Sequence, residues 1–182
     1  MSLLLEFAEH DAAVPRTVER SEAWIAGRLG EHGVRFERWP TRAVAGDILT
    51  AYAPELERLS RERGYKNADV VQLRDPAPDV AAAARAKFLE EHRHGEDEVR
   101  FFVDGAGMFA LRFEERVLLL CCERDDLLSV PAGTRHWFDM GTSPRFCAIR
   151  MFGSEAGWVA AFTGDPIAQR FPSFDAVRER WR

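Results

Sequence analysis

Residues 90–102 read EEHRHGEDEVRFF. Two of the chain's five histidines, His92 and His94, stand one residue apart, and Glu98 follows four residues after the second. Imidazole nitrogen and carboxylate oxygen together suit a divalent first-row metal ion. With no sulfur donor beside them, iron, nickel, manganese, zinc and cobalt are all admissible. A third histidine, His136, comes 44 residues after His92, in SVPAGTRHWFDM. Three imidazoles and one carboxylate leave two positions of an octahedron open, for a bidentate substrate or for substrate and oxygen. Each ligating imidazole needs a partner for its other ring nitrogen. Glu96, Asp97 and Asp139 are the carboxylates nearby in sequence. His10 and His32 sit in polar surroundings and read as surface residues.

These residues must be positioned by strands. In an extended segment, side chains two apart share a face. His92, His94, Glu98, Arg100 and Phe102 share parity, as does Glu96, while Arg93, Asp97, Val99 and Phe101 take the other side. Pro131 and Gly133 make a tight turn, after which a strand carries His136, Phe138 and Met140 on one face. If that strand lies beside the first, His136 closes the site. In RFCAIRMF, Arg150 shares parity with Phe146, Ala148 and Phe152, an apolar setting for a guanidinium.

The rest of the chain supplies the frame. Residues 17–29 carry Val18, Ala23, Trp24, Ile25 and Leu29 in a helical pattern that Gly30 can stop. VRFERWP (34–40) reads as a short strand. Asp47 can cap a second helix, with Gly64 ending it, and ADVVQL (68–73) is a strand. DVAAAARAKFLEEH is a third helix built of strong formers. From 98 to 152 short strands alternate with turns at Asp104-Gly105, Glu114-Glu115, Asp125-Asp126, 131–133 and 141–144. The tail reads as one or two short helices packed back on the sheet. The fold is therefore mainly β: a small barrel (91–153) with a helical N-terminal part (1–90) and a C-terminal tail (154–182), in one domain.

Composition narrows the function. The chain has 182 residues, 46% apolar and 30% charged, with a net charge of −5. Its arginines are spread among acids and form no patch for nucleic acid. Three cysteines, Cys121, Cys122 and Cys147, make no disulfide framework, and no CxxC pair holds zinc. In a strand, Cys121 and Cys122 face opposite ways. No run suits a membrane helix or a signal peptide, so a reduced, cytoplasmic protein is expected. Trp137, Trp158 and Trp181 read as packing residues.

The motifs resemble those of cupins. His92, His94, Glu98 and Gly105 match the first cupin signature, and Pro131, Gly133 and His136 match the second. Ala86 and Asp125 stand where glycine is usual, and Met140 where asparagine is common. KFLEEHRHGEDEVRFFVDGAGMF, LLSVPAGTRHWFDMG and FCAIRMF with a downstream Gly-Trp resemble the bacterial acireductone dioxygenase family. The likeness is strong from about Lys87 to Pro166 and weaker toward the N-terminus, where GYKNADVV continues it.

The resemblance implies a cupin double-stranded β-helix, a cytoplasmic monomer of methionine salvage. It implies one metal held by His92, His94, Glu98 and His136. The substrate would be 1,2-dihydroxy-3-keto-5-methylthiopentene, bound as an enolate through two oxygens and cleaved with O2. Fe2+ would give formate and 2-keto-4-methylthiobutyrate; Ni2+ would give methylthiopropionate, formate and carbon monoxide. An anionic substrate wants fixed cations, and Arg100 and Arg150 are the candidates for binding and catalysis. Phe102 and Phe138 are candidates for an apolar wall around the methylthio tail. Two other readings stand beside this one: a cupin dioxygenase or isomerase for another small substrate, and a non-enzymatic cupin that senses a ligand.

Overall fold

The computed structural model describes residues 1–154 and 159–181, and in it the chain opens as a strand. β1 (Leu3–Ala8) is buried along its whole length and pairs antiparallel with β2 (Thr17–Glu19). LLLEFA shows no alternation because both its faces are covered, so its period is silent in the sequence. The helix expected over 17–29 starts later. α1 (Glu22–Gly30) begins after Ser21, whose hydroxyl accepts from the Trp24 amide. Val18, assigned by periodicity to that helix, instead pairs with Leu5 across the sheet.

β3 (Arg35–Arg38) follows. Asp47 caps α2 (Ile48–Ala51), which breaks at Tyr52 and resumes as α3 (Ala53–Arg63), closed by Gly64 in the left-handed region. β4 (Asn67–Arg74) leads into α4 (Pro78–Leu89). This helix stops before the histidines; Glu90 is already extended, and β5 (His92–Arg93) is a strand of two residues.

β6 (Glu98–Phe113) runs straight through the turn expected at Asp104-Gly105. Gly105 has φ of +70°, and a Cβ there would lie 1.9 Å from the Arg145 carbonyl oxygen. Glycine is present for close approach to the neighbouring strand, not for chain reversal. β7 (Arg116–Glu123), β8 (Asp126–Val130), β9 (Arg135–Asp139) and β10 (Arg145–Phe152) follow with the expected turns between them. Asp125 takes φ of +80° where the cupin pattern has glycine, a conformation aspartate tolerates better than most residues. The tail holds β11 (Ala161–Phe162), a 3₁₀ turn over Pro166–Arg170 and α5 (Phe174–Arg180). Trp158 lies outside the described residues.

The strands form two antiparallel sheets that share β6. Its first half pairs with β10 and β8, its second half with β7 and β9. Along β10 the register skips Val103: Cys147 faces Asp104, and Ala148 faces Phe102. One extra residue in a strand exchanges its faces. Before this bulge the even-numbered Phe102 points into the barrel; after it the odd-numbered Phe109 and Leu111 do. The architecture is a cupin barrel with short helices outside it.

The barrel interior is lined by Phe102, Phe109, Leu118, Leu120, Phe138 and Phe146. Cys122 joins this interior and Cys121 the opposite layer, as alternation requires. Tyr52, Leu56 and Leu59 from the helical part cover Phe101 and Ile149 on one outer face. Trp137, Phe171, Phe174 and Val177 seal the other, with Trp181 partly buried beside them. Burying one such aromatic side chain contributes about 1.5–3 kcal/mol. The frame around the histidines is thus packed from both sides.

Candidate metal centre

β5 carries His92 from the end of α4 into the mouth of the barrel. Alternation then holds as parity requires: His92, His94 and Glu98 are buried, while Arg93, Gly95 and Asp97 are exposed. His92 pairs with His136 on the adjacent β9, and the two rings lie 4.4 Å apart between centroids. Ligand atoms of His92, His94 and His136 all fall within 4.8 Å of one another. Glu98 Oε2 is 3.4 Å from His136 Nε2 and 3.7 Å from His94 Nε2. The structure therefore brings all four of these residues together.

Each imidazole is oriented by a main-chain oxygen. Nδ1 of His92 meets the Glu90 carbonyl at 2.7 Å, that of His94 the Val159 carbonyl at 3.1 Å, and that of His136 the Thr134 carbonyl at 2.9 Å. A carbonyl only accepts, so Nδ1 must carry the proton and Nε2 keeps its lone pair. None of Glu96, Asp97 and Asp139 takes the orienting role expected from sequence. Glu96 accepts from Ser154, and Asp97 accepts from the Ala132 amide. Asp139 accepts from Arg85 and from the Gly141 and Phe174 amides. The carboxylates hold the loops around the site. The Gly133 amide completes this by donating to the His94 carbonyl at 2.9 Å.

The electrostatics favour ligand forms. Burial, and then the neighbouring His136, push the His92 imidazole down to about 4. Burial likewise lowers His94. Burial alone would raise the Glu98 carboxyl, but the Arg100 guanidinium and the imidazoles outweigh it and hold it well below its ordinary range. Neutral imidazole and ionised carboxylate are the states that bind metal. His136 Nε2 is buried with no hydrogen-bond partner among the described residues. A buried polar atom without a partner is costly unless something binds it. Three convergent imidazole lone pairs and a carboxylate fit a divalent first-row ion.

The ligand atoms open into a cavity of about 490 Å³. Arg100 and Arg150 both line it. Arg100 is buried and donates to Glu98 Oε1, with its guanidinium 5.6 Å from the ring centres of Phe109 and Phe138. Arg150 forks onto Asp69 at 2.7 and 3.0 Å. Phe138 lines the cavity; Phe102 does not, and packs behind it among Phe109, Phe138 and Phe146. Sequence reasoning missed Phe88, Phe109 and Phe162 as wall residues, and Asp69 and Lys87 as polar ones. Phe109 was hidden by the bulge that reverses parity. Phe88 lies in the last turn of a helix whose inward face the many alanines obscure. His32, expected at the surface, is half-buried and stacks on Phe113 with ring centres 4.1 Å apart; His10 is exposed.

No helix among the described residues is long and apolar enough to cross a membrane. The family model of the ARD/ARD' family matches residues 25–160. Acireductone dioxygenase of Pseudomonas aeruginosa (strain UCBPP-PA14) is 55% identical over 178 residues, covering 94% of this chain and 98% of that one. The enzyme of the same name from Parasynechococcus marenigrum (strain WH8102) is 48% identical, covering 96% of this chain and 100% of its own. Among solved structures, acireductone dioxygenase from Bacillus anthracis, with a cadmium ion in its active centre, superposes with a TM-score of 0.76. It is 30% identical, over 89% of this chain and 98% of that one. With side chains able to hold a metal converging on a cavity of a cupin barrel, and a family match over most of its length, this chain belongs to the ARD/ARD' family, the acireductone dioxygenases.

Proposed function

We propose that this enzyme cleaves 1,2-dihydroxy-3-keto-5-methylthiopentene with O2 in methionine salvage, as a monomeric, cytoplasmic, single-domain cupin. His92, His94, Glu98 and His136 are the metal ligands, and Fe2+ is the working ion, one per chain, with Ni2+ the alternative. The observation that carries the reading is the convergence of three imidazoles and one carboxylate on a cavity lined also by arginine and phenylalanine.

A metal ion held by His92, His94, Glu98 and His136 would supply Lewis-acid chemistry toward an anionic oxygen substrate. The chain's own side chains do the rest. Arg100 and Arg150 offset the negative charge of the enolate, and both are held by carboxylates, Glu98 and Asp69, before substrate arrives. Phe88, Phe109, Phe138 and Phe162 offer apolar surface for the methylthio tail. Their rings also exclude water from the reacting carbons, which protects an oxidisable anion from competing reactions.

The test is product analysis after reconstitution with each metal. Iron-loaded protein is expected to yield formate and the keto acid, and nickel-loaded protein carbon monoxide. Metal binding without consumption of the acireductone by either form would keep the metal site and discard the substrate.

A further inference from the structure

We propose that Glu91 and Arg112 are positioning residues for the metal centre, a buried latch that fixes the ligand-bearing strand β5. The inference rests on the ligand assignment above.

β5 is only two residues long, so its ladder alone is a weak mount for His92 and for His94 just beyond it. His136, by contrast, sits in β9, which pairs with β6 over five positions. The latch makes good this difference. Glu91 directly precedes His92, and its side chain is wholly buried. Arg112, on β6, places Nη1 at 3.0 and 3.2 Å from the two Glu91 carboxylate oxygens. The same nitrogen is 2.8 Å from Asp165, and Nη2 donates to Glu9. Thr163 closes the ring from the other side: its hydroxyl donates to Glu91 Oε2 at 2.6 Å, and its amide to the Glu91 carbonyl at 3.0 Å.

Two main-chain oxygens that orient ligands therefore hang from one buried ion pair. The Glu90 carbonyl, which holds His92, adjoins Glu91. The Val159 carbonyl, which holds His94, lies four residues before Thr163, on the segment that β11 pairs to β5. That segment also contributes Ala160 and Phe162 to the cavity wall. A buried ion pair adds little net stability over an apolar replacement, and its best-attested use is to fix register. Groups that orient metal ligands are worth roughly 10–100-fold in metal affinity.

The test is Co2+ binding to metal-free wild-type protein, Glu91→Gln and Thr163→Val, by chelator competition and by the cobalt visible spectrum. Thermal midpoints are measured on the same metal-free samples. Glu91→Gln is expected to weaken Co2+ binding about 10–100-fold and to alter the spectrum. Thr163→Val is expected to show a smaller shift of the same kind. Folded variants with wild-type affinity and spectrum, and only a lowered thermal midpoint, would overturn the latch. If Glu91→Gln does not fold, Thr163→Val alone decides by the same two readouts. Wild-type protein that takes no Co2+, or a His94→Ala variant that binds it as tightly as wild type, would show that the ligand assignment has failed and would bring the latch down with it.

Discussion

His92 and His136, 44 residues apart in sequence, face each other across β5 and β9 with ring centroids 4.4 Å apart. This pairing brings a third imidazole to the HxH motif. It is made possible by the turn at 131–133, whose Gly133 amide donates to the His94 carbonyl.

Replacing a proposed ligand should remove the metal without unfolding the barrel. His94 lines the cavity, and its ring meets the core only edge-on to Phe152, at 5.3 Å between centroids, among the described residues. His94→Ala is expected to lower metal affinity more than the roughly 100-fold ceiling typical of an outer-shell change, and to abolish turnover. Circular dichroism should stay near wild type. A variant that keeps stoichiometric metal would contradict the assignment.

Arg100 is expected to matter twice. It neutralises the buried Glu98 and presents charge to the cavity. Breaking a buried pair by removing one partner costs about 3–5 kcal/mol. Arg100→Met should therefore destabilise the metal-free protein by that order and lower kcat/KM, both measurable by urea titration and steady-state kinetics. Arg100→Lys should recover part of the stability but less of the catalysis, since an ammonium lacks the planar fork. Full activity in Arg100→Met would remove this arginine from the mechanism.

Gly107 lies against the Phe138 ring. A Cβ at this position would lie 2.3 Å from Phe138 Cζ, so Gly107→Ala must displace a ring that lines the cavity. Overpacking of this kind costs about 1–3 kcal/mol. The expected signature is a raised KM with metal content unchanged. Unchanged KM would mean that the Phe138 ring has no contact with substrate.

Asp139 gives a pH prediction. Burial alone would raise its carboxyl, but Arg85 and the amides of Phe174 and Gly141 outweigh it, so its folded value lies below the ordinary one. A lowered folded value means stability that is present above the unfolded value, about pH 4, and lost as pH falls through the folded one. Urea midpoints of wild type should drop below about pH 4, whereas Asp139→Asn should be less stable at neutral pH and flatter in acid. Parallel acid limbs for the two proteins would contradict this.

Much of the site was legible because strands alternate strictly. Parity grouped His92, His94, Glu98 and Arg100 correctly on one buried face, and His136 with Phe138 on another. It failed where the chain breaks alternation. The bulge at Val103 hid Phe109, and the same rule extended to Phe102 put a core ring at the cavity. The wholly buried β1 carried no period at all, and Asp104-Gly105 looked like a turn because its glycine serves a close approach instead. The orienting partners of the histidines are main-chain carbonyls, which have no signature in side-chain identity.

The most direct test is oxygen uptake with the acireductone while Fe2+ is titrated into metal-free protein. The account predicts uptake that rises linearly and breaks at one iron per chain, and that is absent at every iron level in His94→Ala. Uptake independent of added metal, or none at full iron loading, would contradict it.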